Sequence, residues 1–195
     1  MAGRINQRSI RDKAINSVKF RNGAQQEAKR KFEKTKAGIL QDFLGDVVTR
    51  EIRGGQSVSN SSGTLGGYGN LFSYIGFYEG MDPVKPLEEY LRNFHFSVKQ
   101  VRQMGQGLTV KLNWFNLNTI KALSAMPWEE GNSWVMGIER GISGFGHYMY
   151  DLASGKGRSK AAIQRNSPAG GVTAFSTKRY LPTMLEEARR RIRKI

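Results

Sequence analysis

The stretch SNSSGTLGGYGNLFSYIGF, from Ser59 to Phe77, sets the centre of the predicted fold. It opens with small polar residues and glycines, which permit the left-handed backbone that tight turns need. From Leu71 onward it becomes apolar and aromatic, and such residues favour a half-buried strand. The stretch therefore predicts a long glycine-rich, exposed loop over residues 54–70 that leads into a core strand at Phe72–Phe77.

A phosphate-binding loop is the alternative interpretation of this glycine run. Such a loop closes with a Lys and a Ser or Thr at fixed spacing, and no such pair follows these glycines. The motif GKGRSK, which begins at Gly155, has the composition of a phosphate loop without its spacing. We therefore interpret the glycine run as structural, and expect any partner that it contacts to be a neighbouring protein.

Length and composition indicate a single basic domain. The chain has 195 residues, with 31 Lys and Arg against 16 Asp and Glu, which gives a formal net charge of +15. A charge of this size predicts an acidic partner. The absence of cysteine excludes disulfides, thiolate zinc sites and cysteine nucleophiles. No apolar run has the length of a membrane-spanning helix and no signal-peptide pattern is present, so we expect no membrane partner.

The positive charge is concentrated at the two ends of the chain. Residues 1–36 hold eleven Lys and Arg against three acids, and residues 178–195 hold seven against two. This distribution predicts a basic N-terminal helical arm over residues 1–44. The remainder, residues 45–195, is predicted to be a single α+β domain with a second exposed loop at 153–171.

The N-terminal helix is predicted from apolar residues that recur every four positions. Ala24, Ala28 and Phe32 form one such series. Asn22-Gly23 interrupts the pattern, which predicts two helices or one kinked helix. The basic residues lie mostly off the apolar stripe, where they either face solvent or lie against nucleic acid or an acidic protein. The residues selected for such a contact are Arg4, Arg8, Arg11 and Lys13.

The middle of the chain predicts antiparallel strands, and its end predicts a helix. Residues alternate in polarity over Asn93–Arg102 and Leu108–Phe115, with a hairpin turn predicted at Gly105-Gln106-Gly107. The segment Asp46–Ile52 suits either a short strand or the end of the first helix. Pro182 opens a predicted C-terminal helix, because its fixed φ suits a first helical turn.

No arrangement of residues typical of an enzyme is present in the sequence. His95 and His147 are the two histidines, and neither lies in a catalytic motif. Acidic pairs such as Glu129-Glu130 are adjacent in sequence, which on a helix splays them apart. Metal-ligand spacing and a nucleophile-elbow pattern are also absent. The sequence therefore predicts a protein without catalytic activity, cofactor or metal.

Three short segments carry a resemblance to a known family. They are SGTL at Ser62–Leu65 (followed by LFSYI), WVMGIERGIS at Trp134–Ser143, and RYLPTMLEEA at Arg179–Ala188. In this order they resemble segments of the tail-completion, or neck, proteins of tailed bacteriophages, the second of them at Glu139 and Gly141. The phrases GTLGGYGNLFSYIGF and SWVMGIERGISG are further similar to those of virion proteins of marine phages.

The resemblance implies an α+β fold, with a long N-terminal helix, a curved antiparallel sheet with a long Gly-rich loop, and a C-terminal helix. It implies a structural virion protein whose copies form a ring at the head–tail junction. Its partners would be copies of itself and other neck, portal or tail proteins, with possible contact with genomic DNA in the lumen. Its location would be the virion tail or neck, and the host cytoplasm during assembly. The assembly residues selected are Ser62, Gly63, Thr64, Leu65, Tyr68, Glu139, Arg140, Arg190 and Arg193.

The alternative function is that of a basic nucleic-acid-binding protein, such as a ribosomal or nucleoid component. It explains the charge, because many Lys and Arg contacts to phosphates would release counterions and give steep salt dependence. It explains the neutral, aromatic-rich centre less well, since no recognition-module pattern is present there.

Overall fold

The computed structural model describes residues 17–65, 69–104, 107–127, 129–140, 148–150, 162–164 and 176–193. Its helices are α1 (Val18–Gly45), α2 (Val47–Arg53), α3 (Leu71–Ile75), α4 (Lys85–Asn93), α5 (Leu117–Leu123), α6 (Trp134–Arg140) and α7 (Leu181–Arg193). Its strands are β1 (Val98–Met104), β2 (Gly107–Leu112), β3 (Ala125–Met126), β4 (Glu129–Ser133), β5 (Tyr148–Tyr150) and β6 (Ala162–Gln164). The predicted α+β class, with long N-terminal and C-terminal helices, is confirmed.

Helix α1 is a single helix of 28 residues. The hydroxyl of Ser17 accepts a hydrogen bond from the Phe20 amide (3.3 Å) and caps the start. The helix continues through Asn22-Gly23, so the alternative of two helices is wrong. A glycine inside a helix costs only about 1 kcal/mol, which a long run of helical hydrogen bonds absorbs. The part of the predicted helix before Ser17 lies outside the described residues.

The segment after α1 forms a separate second helix, which is neither the short strand nor the end of the first helix that the sequence predicted. The carboxylate of Asp46 accepts a hydrogen bond from the Val48 amide (2.8 Å) and caps α2. This short helix turns the chain back over the core, where Val48 and Ile52 are buried.

The predicted strand at Phe72–Phe77 is wrong, because most of this segment forms helix α3. The Asn70 side chain accepts a hydrogen bond from the Ser73 amide (2.8 Å) and starts the helix. Gly76 then ends it in the left-handed conformation, with φ at 83°. These two caps determine the local structure in spite of the strand preference of the aromatic residues between them.

The described strands form three separate two-stranded antiparallel sheets, of which β1–β2 is the longest. Met104 lies opposite Gly107, which is the register of a tight hairpin. Gly105 and Gln106 of the predicted turn lie outside the described residues. Strand β1 begins at Val98, five residues later than predicted, because the preceding segment packs its aromatic side chains on α1.

That packing forms an aromatic cluster around Phe32 of α1. The Phe32 ring lies 6.0 Å from Phe94 and 6.5 Å from Phe115, and the Phe94 and Phe115 rings are 4.3 Å apart. Beside it, the Lys36 ammonium donates to the carbonyl oxygens of Arg92 (3.0 Å) and Phe94 (3.1 Å). A cation suits the C-terminal end of α4, where the helix dipole is negative. The cluster and Lys36 fix α1 to α4 and the hairpin.

The main core joins α1, α6 and α7. The buried Tyr180 ring lies 5.8 Å from Phe43 and 6.0 Å from Trp134, and Phe77 packs against the other side of Trp134 (6.0 Å). Leu185 of α7 faces the same core and is 2% exposed. The C-terminal helix is therefore held by its buried apolar side chains.

We expect Leu185→Asp to unfold the protein. An unpaired carboxylate in this core would cost several kcal/mol. Arg190→Ala on the exposed face of α7 is the control, and its loss is expected to be about 0–1 kcal/mol. Thermal melts of the two variants beside the wild type measure the difference. A Leu185→Asp variant with a wild-type melting temperature would show that a different face of α7 is buried.

Candidate assembly site

The loop after α2 is folded around the buried carboxylate of Glu51. One carboxylate oxygen, Oε1, accepts from the Asn60 side-chain amide (2.9 Å) and the Leu71 backbone amide (2.7 Å). The other, Oε2, accepts from the Ser62 backbone amide (2.7 Å). Glu51 is fully buried, and a buried charge must be hydrogen-bonded to be tolerated. The loop therefore follows the path that brings these three donors to one carboxylate.

Asn60 extends this network to the SGTL segment. Its side-chain oxygen accepts from the Leu65 amide (3.0 Å), and the hydroxyls of Ser62 and Thr64 are 2.9 Å apart. The side chains of Ser62, Thr64 and Leu65 are buried, so this part of residues 54–70 is not the exposed loop that was predicted. Because these side chains offer no surface to a neighbour, their predicted place in an assembly interface is corrected to an internal one.

The carboxylate of Glu139 caps helix α7. Its Oε1 accepts from the backbone amides of Tyr180 (2.9 Å) and Thr183 (2.8 Å). An anion at this end suits the positive end of the helix dipole. Next to it, the Lys178 amide donates to the Ile138 carbonyl oxygen (3.0 Å). Glu139 thus fixes the position and direction of the C-terminal helix.

The first two segments that resemble the neck family meet the chain at and just before the start of the third, at a place that we call the three-segment junction. It consists of Thr64, Ile138–Glu139 and residues 176–183. Here the Ser176 amide donates to the Thr64 carbonyl oxygen (2.9 Å). The residues that contact Ile138 and Glu139 all lie within the seven residues that follow Ser176. The Glu139 contacts at the junction join residues 41 and 44 positions apart in the sequence.

Two ionisable side chains lie beside the junction, and burial shifts the pKa of each. Burial raises the pKa of Tyr180, although its hydroxyl is 2.7 Å from the Thr49 hydroxyl, so the phenol stays protonated. Burial also raises the pKa of Asp46 and outweighs the lowering effect of its hydrogen bond from Val48. Tyr180 serves packing, and Asp46 caps α2.

The other selected residues lie on the surface or outside the described residues. Gly63 is exposed, and its φ of 66° favours glycine. Arg140 is exposed in the last turn of α6, and Arg190 pairs with Glu186 (2.7 Å). Arg193 is the last residue of α7. The selected residues that lie outside the described part are Arg4, Arg8, Arg11, Lys13 and Tyr68.

Neither a metal site nor a membrane-spanning helix is found among the described residues. Among the described residues, no group of three His, Cys, Asp or Glu side chains is placed to hold a metal ion. Within the same residues, no helix combines the length and the apolar character that crossing a bilayer requires.

No protein-family model, curated protein or solved structure matches the chain. The likeness to neck proteins therefore stays a prediction that rests on the three segments themselves.

Sequence reasoning missed Glu51, which organises the loop. A signal was present, because Val48 lies three positions before Glu51 and Ile52 directly follows it. On a helix this places the carboxylate beside apolar residues, and a charged residue on an apolar face is rarely buried without partners. Nothing local to Glu51 identified those partners, which lie 9 to 20 residues further along.

We expect Glu139→Gln to be tolerated. Both amides bind the same oxygen of Glu139, so the single oxygen of glutamine can accept both hydrogen bonds. Glu139→Ala leaves both amides without this acceptor and should cost about 1–3 kcal/mol of unfolding free energy. Urea denaturation measures both variants. Equal losses for Gln and Ala would mean that the charge, and not the acceptor, holds α7.

We expect Glu51→Gln to be destabilising, in contrast to Glu139→Gln. The donors to Glu51 bind both oxygens, so the NH₂ group of glutamine must face an N–H donor in either orientation. The loss should approach that of Glu51→Ala, about 1–3 kcal/mol. The same urea measurement applies, and a Glu51→Gln variant as stable as the wild type would contradict the network.

Proposed function

We propose that this chain is a structural virion protein of a tailed phage, whose copies form a ring at the head–tail junction. In this role the ring joins the portal or adaptor to the tail. The observation that carries the proposal is the three-segment junction. The segments that resemble neck proteins are distant in sequence, yet Glu139 of the second accepts hydrogen bonds from Tyr180 and Thr183 of the third, and Thr64 of the first accepts one from Ser176, three residues before the third. This mutual dependence gives a physical reason for the three segments to occur together in one chain.

The exposed length of α1 supports an assembly role. With 28 residues, the helix is about 42 Å long at 1.5 Å per residue. Its first buried side chain is Phe32, so no side chain in the half before that residue is buried in the subunit core. Helices in globular proteins gain most of their stability from packing an apolar face. A partner that covers this half of α1 accounts for its length.

The use of the buried acids also favours a structural role over catalysis. Backbone amides occupy one oxygen of Glu139 and both oxygens of Glu51. A catalytic carboxylate needs free access to a substrate proton. These two carboxylates instead stabilise the fold of the subunit that would form the ring.

The second candidate function is nucleic-acid binding. The observation that favours it is a set of exposed cations without an ion pair among the described residues, namely Lys19, Lys29, Lys34, Arg189 and Arg191. In a ring, some of them could also face genomic DNA in the lumen.

Electron microscopy of particles produced by the genome that encodes this chain tests the proposal. We expect the chain to occur as a ring between the head and the tail. Particles with no copy at that place would contradict it.

A DNA-binding measurement distinguishes the second candidate function, nucleic-acid binding, from the neck role. Binding of the isolated chain to duplex DNA should be measured between about 50 and 200 mM salt, a range in which several phosphate contacts lose orders of magnitude in affinity. Tight, steeply salt-dependent binding that disappears on removal of residues 1–21 would favour nucleic-acid binding as the primary function. Weak binding beside ring formation would favour the neck role.

A further inference from the structure

One region of this basic chain is acidic. Residues 37–91 hold seven Asp and Glu against three Lys and Arg, whereas the whole chain carries a net charge of +15. The turn before α4 and its first turns expose three of these acids beside two large apolar side chains. We call this surface the acidic face, and it consists of Tyr78, Glu79, Met81, Asp82 and Glu89.

The acidic face is fixed against the end of α2. Arg53 pairs with Asp82 (3.8 Å), and the Gln56 side-chain amide donates to Glu79 (3.2 Å). Its apolar members are well exposed, with Tyr78 at 51% and Met81 at 45%. Exposed apolar side chains bordered by charges are typical of protein contact sites.

The opposite charge and a second pair of exposed apolar side chains occur at the start of α1. We call residues 18–31 the projecting helix. None of its side chains is buried, and Val18 (74%) and Phe20 (50%) are exposed. Its one acid is Glu27, against five bases. The bases are Lys19, Arg21, Lys29, Arg30 and Lys31.

The projecting helix cannot reach the acidic face of its own chain. Lys36 is held at the C-terminal end of α4 by its two carbonyl contacts. Val18 lies eighteen residues earlier on the same unbroken helix, which places it about 27 Å away along the helix axis. The acidic face is held to the end of α2 by Arg53, and α2 begins two residues after α1 ends. Two complementary surfaces held apart by a rigid helix can meet only between molecules.

We propose that the projecting helix of one copy docks on the acidic face of the next copy. In this contact the cations of the helix face Glu79, Asp82 and Glu89, while Val18 and Phe20 cover Tyr78 and Met81. Because each copy carries both surfaces, the contact repeats from head to tail and can close into a ring. The inference rests on the proposed ring, for which it supplies the subunit contact.

A second copy of this chain would cover both the projecting helix and the acidic face, whereas a nucleic acid would cover only the helix. A nucleic acid would neutralise the cations of the projecting helix but would repel the acidic face. It would also leave Tyr78 and Met81 uncovered. The docked helix covers both surfaces at once.

Charge reversal tests this contact. The helix variant is Lys19→Glu with Lys29→Glu, and the face variant is Glu79→Lys with Glu89→Lys. Sedimentation velocity at low salt should show wild-type oligomers and at least about a tenfold weaker association for each variant alone. An equimolar mixture of the two should associate again, because the reversed helix fits the reversed face and each normal surface meets its normal partner.

Two controls accompany the series. Lys111→Glu with Lys121→Glu makes the same change in net charge as the helix variant, at exposed positions outside both surfaces. It should leave association unchanged. Phe20→Ser keeps the charge and removes one exposed apolar side chain, and should weaken association several-fold. Circular dichroism and thermal melts confirm that every variant is folded.

Four results would overturn the contact. Two concern the variants: equal weakening by the control pair, and failure of the mixture to restore association. Two concern the wild type: loss of its oligomers on nuclease treatment, and a chain that stays monomeric at about 100 µM, a concentration that reveals even weak contacts. Failure of the proposed function is distinguishable. If the wild type forms rings and both charge-reversal variants still form them, this contact alone is contradicted. Particles without the chain at the neck contradict the proposed function.

Discussion

The rest of this fold depends on the burial of one carboxylate, that of Glu51. Water cannot solvate it, so the protein must supply the donors, and these come from Asn60, Ser62 and Leu71. These hydrogen bonds fix the loop and place the carbonyl oxygen of Thr64 where it accepts from the Ser176 amide. The chain that follows Ser176 then reaches Glu139, which starts the last helix. One buried charge therefore positions segments at both ends of the domain.

Much of the helical framework could be predicted from the sequence, because its signals are local. Pro182 lies in the first turn of α7, and the spacing of Phe32 marks the buried side of α1. Helix α3 was missed because it has only five residues, and its aromatic composition favours a strand. The deciding residues were Asn70 and Gly76, one on each side of the segment. In a segment this short, caps outweigh the preferences of the residues between them.

The candidate site was predictable only in part. Glu139 was selected through a resemblance, but its acceptor role depends on amides 41 and 44 residues away, and no local pattern encodes such a distance. Ser62 and Thr64 look like surface residues in the sequence because small hydroxylated side chains usually lie in solvated turns. They are buried because Asn60 and Glu51 meet their polar groups. Tertiary hydrogen bonding reversed the prediction.

The unbroken course of α1 also bears on geometry beyond the subunit. A stiff helix that is anchored at Phe32 and Lys36 leaves the core in a single direction. In an assembly joined through its free end, that direction sets the rotation from one copy to the next, and the rotation sets how many copies close a circle. Small changes in how Phe94 and Phe115 pack on Phe32 would tilt the helix. In such an assembly, the diameter of the circle would depend on this aromatic packing.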